Sequence, residues 1–161
     1  MRIISQGTSF DGRANLRKYT CFFVGHRTIP MKKIKGIVIN LNIEIDKLIK
    51  RGITNFISSG AVGFGHIAAF SIIKKKEKGA NIRLILALPC QTQDERWTDK
   101  QKQQFQSILK QADEIIYFSE EYTDFCLMER NDYMVRNSSY CISAIFNKNP
   151  HESSLATVNE T

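Results

Sequence analysis

A glycine-rich segment between a predicted strand and a predicted helix can bind phosphate, and this chain has one at residues 58–65, SSGAVGFG. Free backbone amides at a helix start attract anions. The hydroxyls of Ser58 and Ser59 could donate further hydrogen bonds to such an anion. Gly60 and Gly63 could equally serve only tight turning and close packing. The segment is neither G-x-G-x-x-G nor a P-loop with its lysine, so the motif alone leaves both interpretations open.

Polar side chains follow three other apolar runs, in the segments GHRTIP (25–30), LPCQTQDERW (88–97) and SEEYTDFCLMERN (119–131). Arg27 and Arg96 are cations suited to phosphate, and Trp97 or Tyr122 could cover a ring. Each of these residues also has an interpretation that involves no ligand. His26 and Arg27 could cap a helix or lie on the surface, and Trp97 could fill the core. Arg130 and Asn131 could form a hydrogen-bonded surface pair.

No catalytic or metal-binding motif stands out. The chain lacks a Ser-His-Asp order and H-E-x-x-H, and its four cysteines form no C-x-x-C pair. His66 has no second metal ligand at i+4. Carboxylates for acid–base chemistry are available, but none forms an evident pair; they are Asp94, Glu95, Glu120, Glu121 and Glu129. We therefore predict no metal and no cofactor.

The elements that must position these residues alternate along the chain. Apolar runs predict strands at 19–25, 53–60, 82–89, 113–119 and 139–146, with helices between them and a capping box from Thr98 to Gln101. A short terminal helix within 147–161 is left open. Alternation predicts an α/β fold, a mainly parallel sheet of about five strands covered by helices on both sides. In such sheets ligands bind beyond the carboxyl ends of the strands, where these polar segments meet.

The length and the net charge of the chain limit the number of domains and the kinds of binding partner that we expect. The 161 residues suit one domain at 19–161, preceded by a polar arm at 1–18 that we expect to be flexible. The net charge of +7 invites a nucleic-acid interpretation. However, the lysines cluster in MKKIK and IIKKKEKG without interleaved aromatic residues, which favours a solvated surface. Without a long apolar run or a signal peptide, we predict a cytoplasmic protein away from membranes.

Taken together and in order, the motifs CFFVGHR, FISSGAVGFGHIAA, RLILALPCQTQDERW and the segment ADEIIYFSEEYTDFCLMERNDYMVRN resemble the YpsA-like branch of the SLOG superfamily, over residues 19–147. The resemblance implies a Rossmann-like three-layer fold and a nucleotide or nucleotide-derived ligand such as an ADP-ribose relative. It also implies homo-oligomerisation and a role in bacterial or phage conflict systems. LOG phosphoribohydrolases and the DNA-binding DprA proteins are further relatives.

The resemblance and the strand-end rule together predict the ligand-binding residues. They are Gly25, His26, Arg27, Ser58, Ser59, Gly60, Ala61, Gly63, Pro89, Arg96, Trp97, Glu120, Arg130 and Asn131. The chain departs from the family turn Gly-Gly-Ala-x-Gly-x-Asp, because Ser59 replaces the first glycine and Gly65 replaces the aspartate. The family's Gly-Gly-Thr near the C-terminus is also missing. Losing a carboxylate removes both a polarising group and a repulsion against phosphate, which favours binding over turnover.

These observations predict a sensor or sequestering module for a nucleotide-derived small molecule. Two alternatives stay open: LOG-like cleavage of a nucleotide N-glycosidic bond, with Glu120 as the candidate acid or base, and DprA-like binding of single-stranded DNA.

Overall fold

A computed structural model describes residues 16–144 and 157–160. The strands are β1 (Thr20–Gly25), β2 (Asn55–Ser58), β3 (Arg83–Leu88), β4 (Glu114–Tyr117), β5 (Tyr140–Ala144) and β6 (Thr157–Glu160). The helices are α1 (Met31–Lys50), α2 (Phe64–Glu77), α3 (Asp99–Gln111) and α4 (Cys126–Arg136), with a short 3-10 helix at Arg17–Tyr19. Most of the predicted N-terminal arm, residues 1–15, lies outside the described residues.

The six strands form one sheet in the order β4-β3-β2-β1-β5-β6. Strands β1 to β5 are parallel, and β6 runs antiparallel to β5. The predicted α/β class and mainly parallel sheet are confirmed. The terminal helix that the sequence left open is not seen at 157–160, where the backbone instead forms the edge strand β6 beside β5.

Two apolar layers cover the sheet, because successive strand residues point to opposite faces. Phe23, Phe56 and Leu86 pack with α1, α2 and α3 on one face. Phe22 and Ile57 pack with α4 on the other face. The strands are buried on both sides, which explains their nearly continuous apolar sequence. This is the three-layer Rossmann-like arrangement that the sequence predicts.

Two local features fix the elements around the strand ends. The capping box at the start of α3 is confirmed: Thr98 accepts a hydrogen bond from the backbone of Gln101 at 3.2 Å, and the Gln101 side chain accepts one from the Thr98 backbone at 3.0 Å. Strand β2 ends at Ser58 because the chain turns at Gly60, whose φ is 66°.

The sheet order places every carboxyl end of β1 to β5 at one edge. The chain moves from β1 outward to β4 and then crosses back to β5 on the other side of β1. In folds of this type, ligands bind beyond this carboxyl edge of the sheet. In the part of the chain that is described, no helix combines the length and apolarity that crossing a membrane requires.

Candidate functional site

A cavity of about 540 Å³ opens at the carboxyl edge of the sheet. Four loops line it. Arg27 follows β1, Ala61 and Val62 follow β2, seven residues between Pro89 and Trp97 follow β3, and Tyr122 and Leu127 follow β4. Its size falls within the range of small-molecule sites, about 300–1,000 Å³.

A smaller cavity of about 220 Å³ lies at the opposite edge. Thr20, Asn55, Arg83 and Glu114, the first residues of β1 to β4, contribute to its lining. This second cavity is therefore at the amino ends of the strands, and it shares no lining residue with the first.

The glycine turn after β2 is fastened to the loop after β1. The Phe64 backbone donates a hydrogen bond to the carbonyl oxygen of His26 at 3.0 Å. Gly63 has φ of 80°, and a Cβ atom there would overlap the carbonyl of Arg27 and lie 2.6 Å from that of His26. A Cβ atom at Gly25 would lie 2.5 Å from the Phe64 ring. These glycines let two backbone segments touch, so the position of Arg27 depends on the turn.

The serine hydroxyls are used within the turn itself. Ser58 is buried and donates to the carbonyl oxygen of Gly65 at 2.9 Å, while accepting from the Gly60 backbone at 3.2 Å. The Ser59 hydroxyl oxygen accepts from the Ala61 backbone at 3.3 Å. The Ser58 hydroxyl therefore donates its hydrogen bond within the turn and not toward the cavity.

The Trp97 ring forms one wall of the cavity and also packs on the core. Its ring centroid lies 5.1 Å from that of Phe105 and 5.4 Å from that of His66, edge to face in both cases. His66 in turn stacks on Phe105 at an interplanar angle of 6°. Burial lowers the pKa of His66, although hydrogen bonding of the imidazole to the Gly60 backbone and to the Gln104 side chain opposes that effect. The sequence left open whether Trp97 fills the core or covers a ligand ring, and the structure is compatible with both roles at once.

Arginines dominate the charge of the cavity region. Arg27 and Arg96 line the cavity and are exposed. Arg130 lies on α4, where its Nε and Nη2 donate to the Asn131 Oδ1 at 3.1 and 3.0 Å. Burial lowers the pKa of Arg130, and repulsion by the nearby Arg27 lowers it further. Two cations from different strand-end loops, Arg27 and Arg96, thus line the same cavity.

The candidate acid–base residues are only partly at the cavity. Glu95 lines the cavity, whereas the exposed Glu120 does not. The Glu120 carbonyl, together with that of Ser119, accepts a hydrogen bond from the Gln91 backbone, each at 3.2 Å. Among the described residues, no three histidine, cysteine or carboxylate side chains group closely enough to hold a metal ion.

Of the predicted site residues, the structure brings Arg27, Ala61, Pro89, Arg96 and Trp97 to the cavity wall. The others serve the turn (Gly25, His26, Ser58, Ser59, Gly60, Gly63), lie on the neighbouring α4 (Arg130, Asn131), or are exposed in the loop after β4 (Glu120). Sequence reasoning missed five lining residues: Val62, Cys90, Thr92, Gln93 and Leu127. Val62 belongs to the turn after β2, and Leu127 lies in α4. The only sequence signal of the other three is their place in the loop after β3.

Comparisons with known proteins agree with this architecture. The model of the YspA SLOG family matches residues 19–160. The chain is 30% identical over 112 residues to the uncharacterized SPbeta prophage-derived protein YoqJ of Bacillus subtilis (strain 168), covering 62% of this chain and 66% of that protein. The chain thus spans just under two thirds of that relative's length.

A solved structure gives the same fold at lower identity. It describes the single-stranded DNA binding mode of DNA processing protein A from Helicobacter pylori. The TM-score is 0.54 with 18% identity, and the match covers 83% of this chain and 58% of that chain.

Proposed function

Because the chain belongs to the YspA SLOG family, we propose that it binds a nucleotide or a nucleotide-derived small molecule resembling ADP-ribose in the cavity at the carboxyl edge. One observation carries the proposal: Arg27 and Arg96, distant in sequence, line the same cavity as the Trp97 ring. Guanidinium groups suit phosphate, and an aromatic face suits a base. We extend the proposal to a sensing or sequestering role in the cytoplasm.

The turn after β2 favours binding without turnover. A Cβ atom at Gly65 would lie 3.1 Å from the Ser59 hydroxyl oxygen and 3.6 Å from the Gly60 carbonyl carbon. A side chain at position 65 would thus meet a tight contact with Ser59, and the first turn of α2 carries no carboxylate that could polarise water or repel a phosphate. Release of free adenine from AMP that depends on Glu120, abolished in a Glu120→Gln variant, would instead support the hydrolase alternative.

Calorimetry with ADP-ribose, cyclic ADP-ribose and AMP tests the proposal. We expect saturable binding of at least one of them, and weakening of about tenfold or more in Arg27→Ala, because a hydrogen bond to a charged group contributes about 1.5–3 kcal/mol. Arg51→Ala is the matched control, since Arg51 is equally exposed but follows α1 at the amino edge. Absence of binding, or equal affinity in both variants and the unmodified protein, would refute the proposal.

Single-stranded DNA is the second candidate ligand, favoured by a specific surface feature. Tyr122 and Phe125 are each 63% exposed in the loop between β4 and α4, close along the chain to Arg130. Exposed rings beside arginines can stack bases, and the net charge of +7 adds attraction. Binding of an oligonucleotide that survives about 0.2 M salt and is lost in Tyr122→Ala would support this function. Binding seen only at low salt would reduce it to non-specific attraction.

A further inference from the structure

A row of polar residues lies at the amino edge of the sheet, on the face that packs with α4. Thr20, Asn55 and Arg83 are the first residues of β1, β2 and β3, and the strand register places them side by side. They point to the same face as Ile85, since alternate residues of a strand share a face. Glu114 continues the row on β4, where its Cα atom pairs with that of Ile85. The row contributes to the lining of the smaller cavity.

Asn55 is the member of this row whose side chain has no partner. The residue is 3% exposed and lines the cavity, and in the described part of the chain its amide group forms no hydrogen bond. The amide is not among the fully enclosed polar atoms that lack a partner, so it keeps surface that a ligand can reach. Thr20, its neighbour on β1, instead donates to the Leu16 carbonyl oxygen at 2.7 Å. A buried amide without a partner is unfavourable, so a ligand that supplies hydrogen bonds to it gains affinity.

Arg83 and Glu114 bring opposite charges to the same cavity. The Arg83 Nη2 lies 3.5 Å from the Glu114 Oε2, which is longer than the roughly 2.7–2.9 Å of a charge-assisted hydrogen bond. The Arg83 side chain is 47% exposed, so its guanidinium has N–H groups that can still donate to a carboxylate. A carboxylate accepts up to about four hydrogen bonds, so Glu114 can accept from an ammonium group besides its present contacts. Because the two charges balance, the cavity suits a ligand of no net charge.

The rest of the cavity wall is largely apolar. Ile57 and Ile85 form its sheet side, Leu16 precedes β1, and Tyr133 and Asn137 come from α4. The volume of about 220 Å³ is less than half that of the 540 Å³ cavity at the carboxyl edge. Few polar groups in a mostly apolar wall are typical of a small-molecule site. The cavity therefore suits a small molecule that carries both charges and an apolar group.

We propose that this cavity is a second binding site, for a small α-amino acid with an apolar side chain. The carboxylate of the amino acid accepts hydrogen bonds from Arg83 and from the Asn55 amide, and its ammonium group donates to Glu114. Its side chain packs on Ile57 and Ile85. The two cavities share no lining residue, so this site is separate from the one at the carboxyl edge. A phosphate group here would meet the Glu114 carboxylate, which disfavours a nucleotide.

Calorimetry with valine and two analogues tests the ligand class. Isovalerate keeps the side chain and the carboxylate of valine but lacks the ammonium group, and isobutylamine keeps the ammonium group but lacks the carboxylate. We expect saturable binding of valine, and binding of either analogue that is weaker by about tenfold or more, because each loses hydrogen bonds to charged groups. No binding of alanine, valine or leucine at millimolar concentration would overturn the proposal. Equal affinity for valine and isovalerate would do the same, because Glu114 would then have no role.

Asn55→Leu separates a binding role of the amide from a structural one, since it removes the amide with little change in size. Valine binding should weaken about tenfold or more, while the free energy of unfolding stays the same or rises, because an apolar group replaces an unpaired polar one. Asn42→Leu is the matched control. The Asn42 amide donates to the Val38 carbonyl oxygen at 2.7 Å within α1, which packs on the other face of the sheet. Valine binding should change less than about twofold there.

Two outcomes of these variants would contradict the proposal. One is equal valine affinity in Asn55→Leu and Asn42→Leu, and the other is a lower free energy of unfolding in Asn55→Leu, which would give the amide a structural partner. If Asn55→Leu does not fold by circular dichroism, Glu114→Gln replaces it. That variant removes a charge and keeps the shape, so valine should bind about tenfold more weakly while isovalerate binds no more weakly than before.

NMR of ¹⁵N-labelled protein locates the site. Valine should shift the side-chain amide signals of Asn55 and leave the backbone signals of Arg27 and Trp97 in place. Shifts centred on the carboxyl edge would refute this second site and leave the proposed function standing. Failure of the nucleotides to bind would refute the proposed function and leave this site standing.

Discussion

At the scale of single residues, the side chains around the cavity differ in how far structural contacts already occupy them. Trp97 packs on Phe105 and His66 and also lines the cavity. Ser58, by contrast, uses its hydroxyl inside the turn. The sequence indicates which residue types are present after each strand, but it does not reveal which hydrogen bonds they have already formed.

His66 makes the stability of this region dependent on pH. It is buried against two rings, so the folded protein disfavours its protonated form and its pKa is lowered from the ordinary value of 6.5. The unfolded chain therefore takes up the proton first. We expect His66 to leave the free energy of unfolding at its full value above pH 6.5. As the pH falls from 6.5 toward the lowered pKa, the free energy of unfolding should decrease by at most about 1.4 kcal/mol per pH unit.

Urea unfolding at several pH values between 7.5 and 5 measures this effect. A His66→Phe variant keeps an aromatic ring in the stack but cannot take up a proton, so its free energy of unfolding should fall less over the same range. Identical pH dependence in the variant and the unmodified protein would contradict the assignment to His66.

At the scale of elements, the strands and helices follow from the sequence, whereas the loop paths do not. Continuous apolar runs identify β1 to β5 because those strands are buried on both faces. The capping box identifies the start of α3 because both hydrogen bonds are local. Gln93 is a residue whose position the sequence could not predict. Its place on the cavity wall depends on how the 89–97 loop turns, which no periodicity encodes.

The contact between the β1 loop and the turn after β2 gives an element-level prediction. Gly63→Ala should destabilise the protein strongly, because a Cβ atom there meets both an unfavourable φ and the carbonyls of His26 and Arg27. Gly79→Ala is the matched control: φ is 97°, but nothing lies within 4 Å of a Cβ atom.

Chemical denaturation of both variants measures the difference. We expect Gly79→Ala to cost about 1–2 kcal/mol for the backbone alone and Gly63→Ala to cost clearly more, since overlap adds to strain. Arg27 should also move, so Gly63→Ala should bind ADP-ribose more weakly at a temperature where it remains folded. Equal destabilisation by the two variants would mean that the loop after β1 and the turn after β2 do not pack against each other as described.

At the scale of the whole molecule, the sheet order determines which edge can bind. Five parallel strands place the four polar loops that follow β1 to β4 at the carboxyl edge. Topology therefore explains why Arg27 and Arg96, nearly 70 residues apart, share one cavity. The identity of the ligand does not follow from topology, because it depends on the side chains that line the cavity, such as Gln93 in the loop after β3.

The two cavities at opposite edges of the sheet allow a direct test of the central claim. A titration of ¹⁵N-labelled protein with ADP-ribose, followed by NMR, should shift the backbone amide signals of Arg27, Ala61, Arg96 and Trp97 around the larger cavity. Signals of residues around the smaller cavity, such as Asn55, should stay in place. No shifts at millimolar concentrations of ADP-ribose, cyclic ADP-ribose or AMP, or shifts centred on the amino edge, would contradict the account.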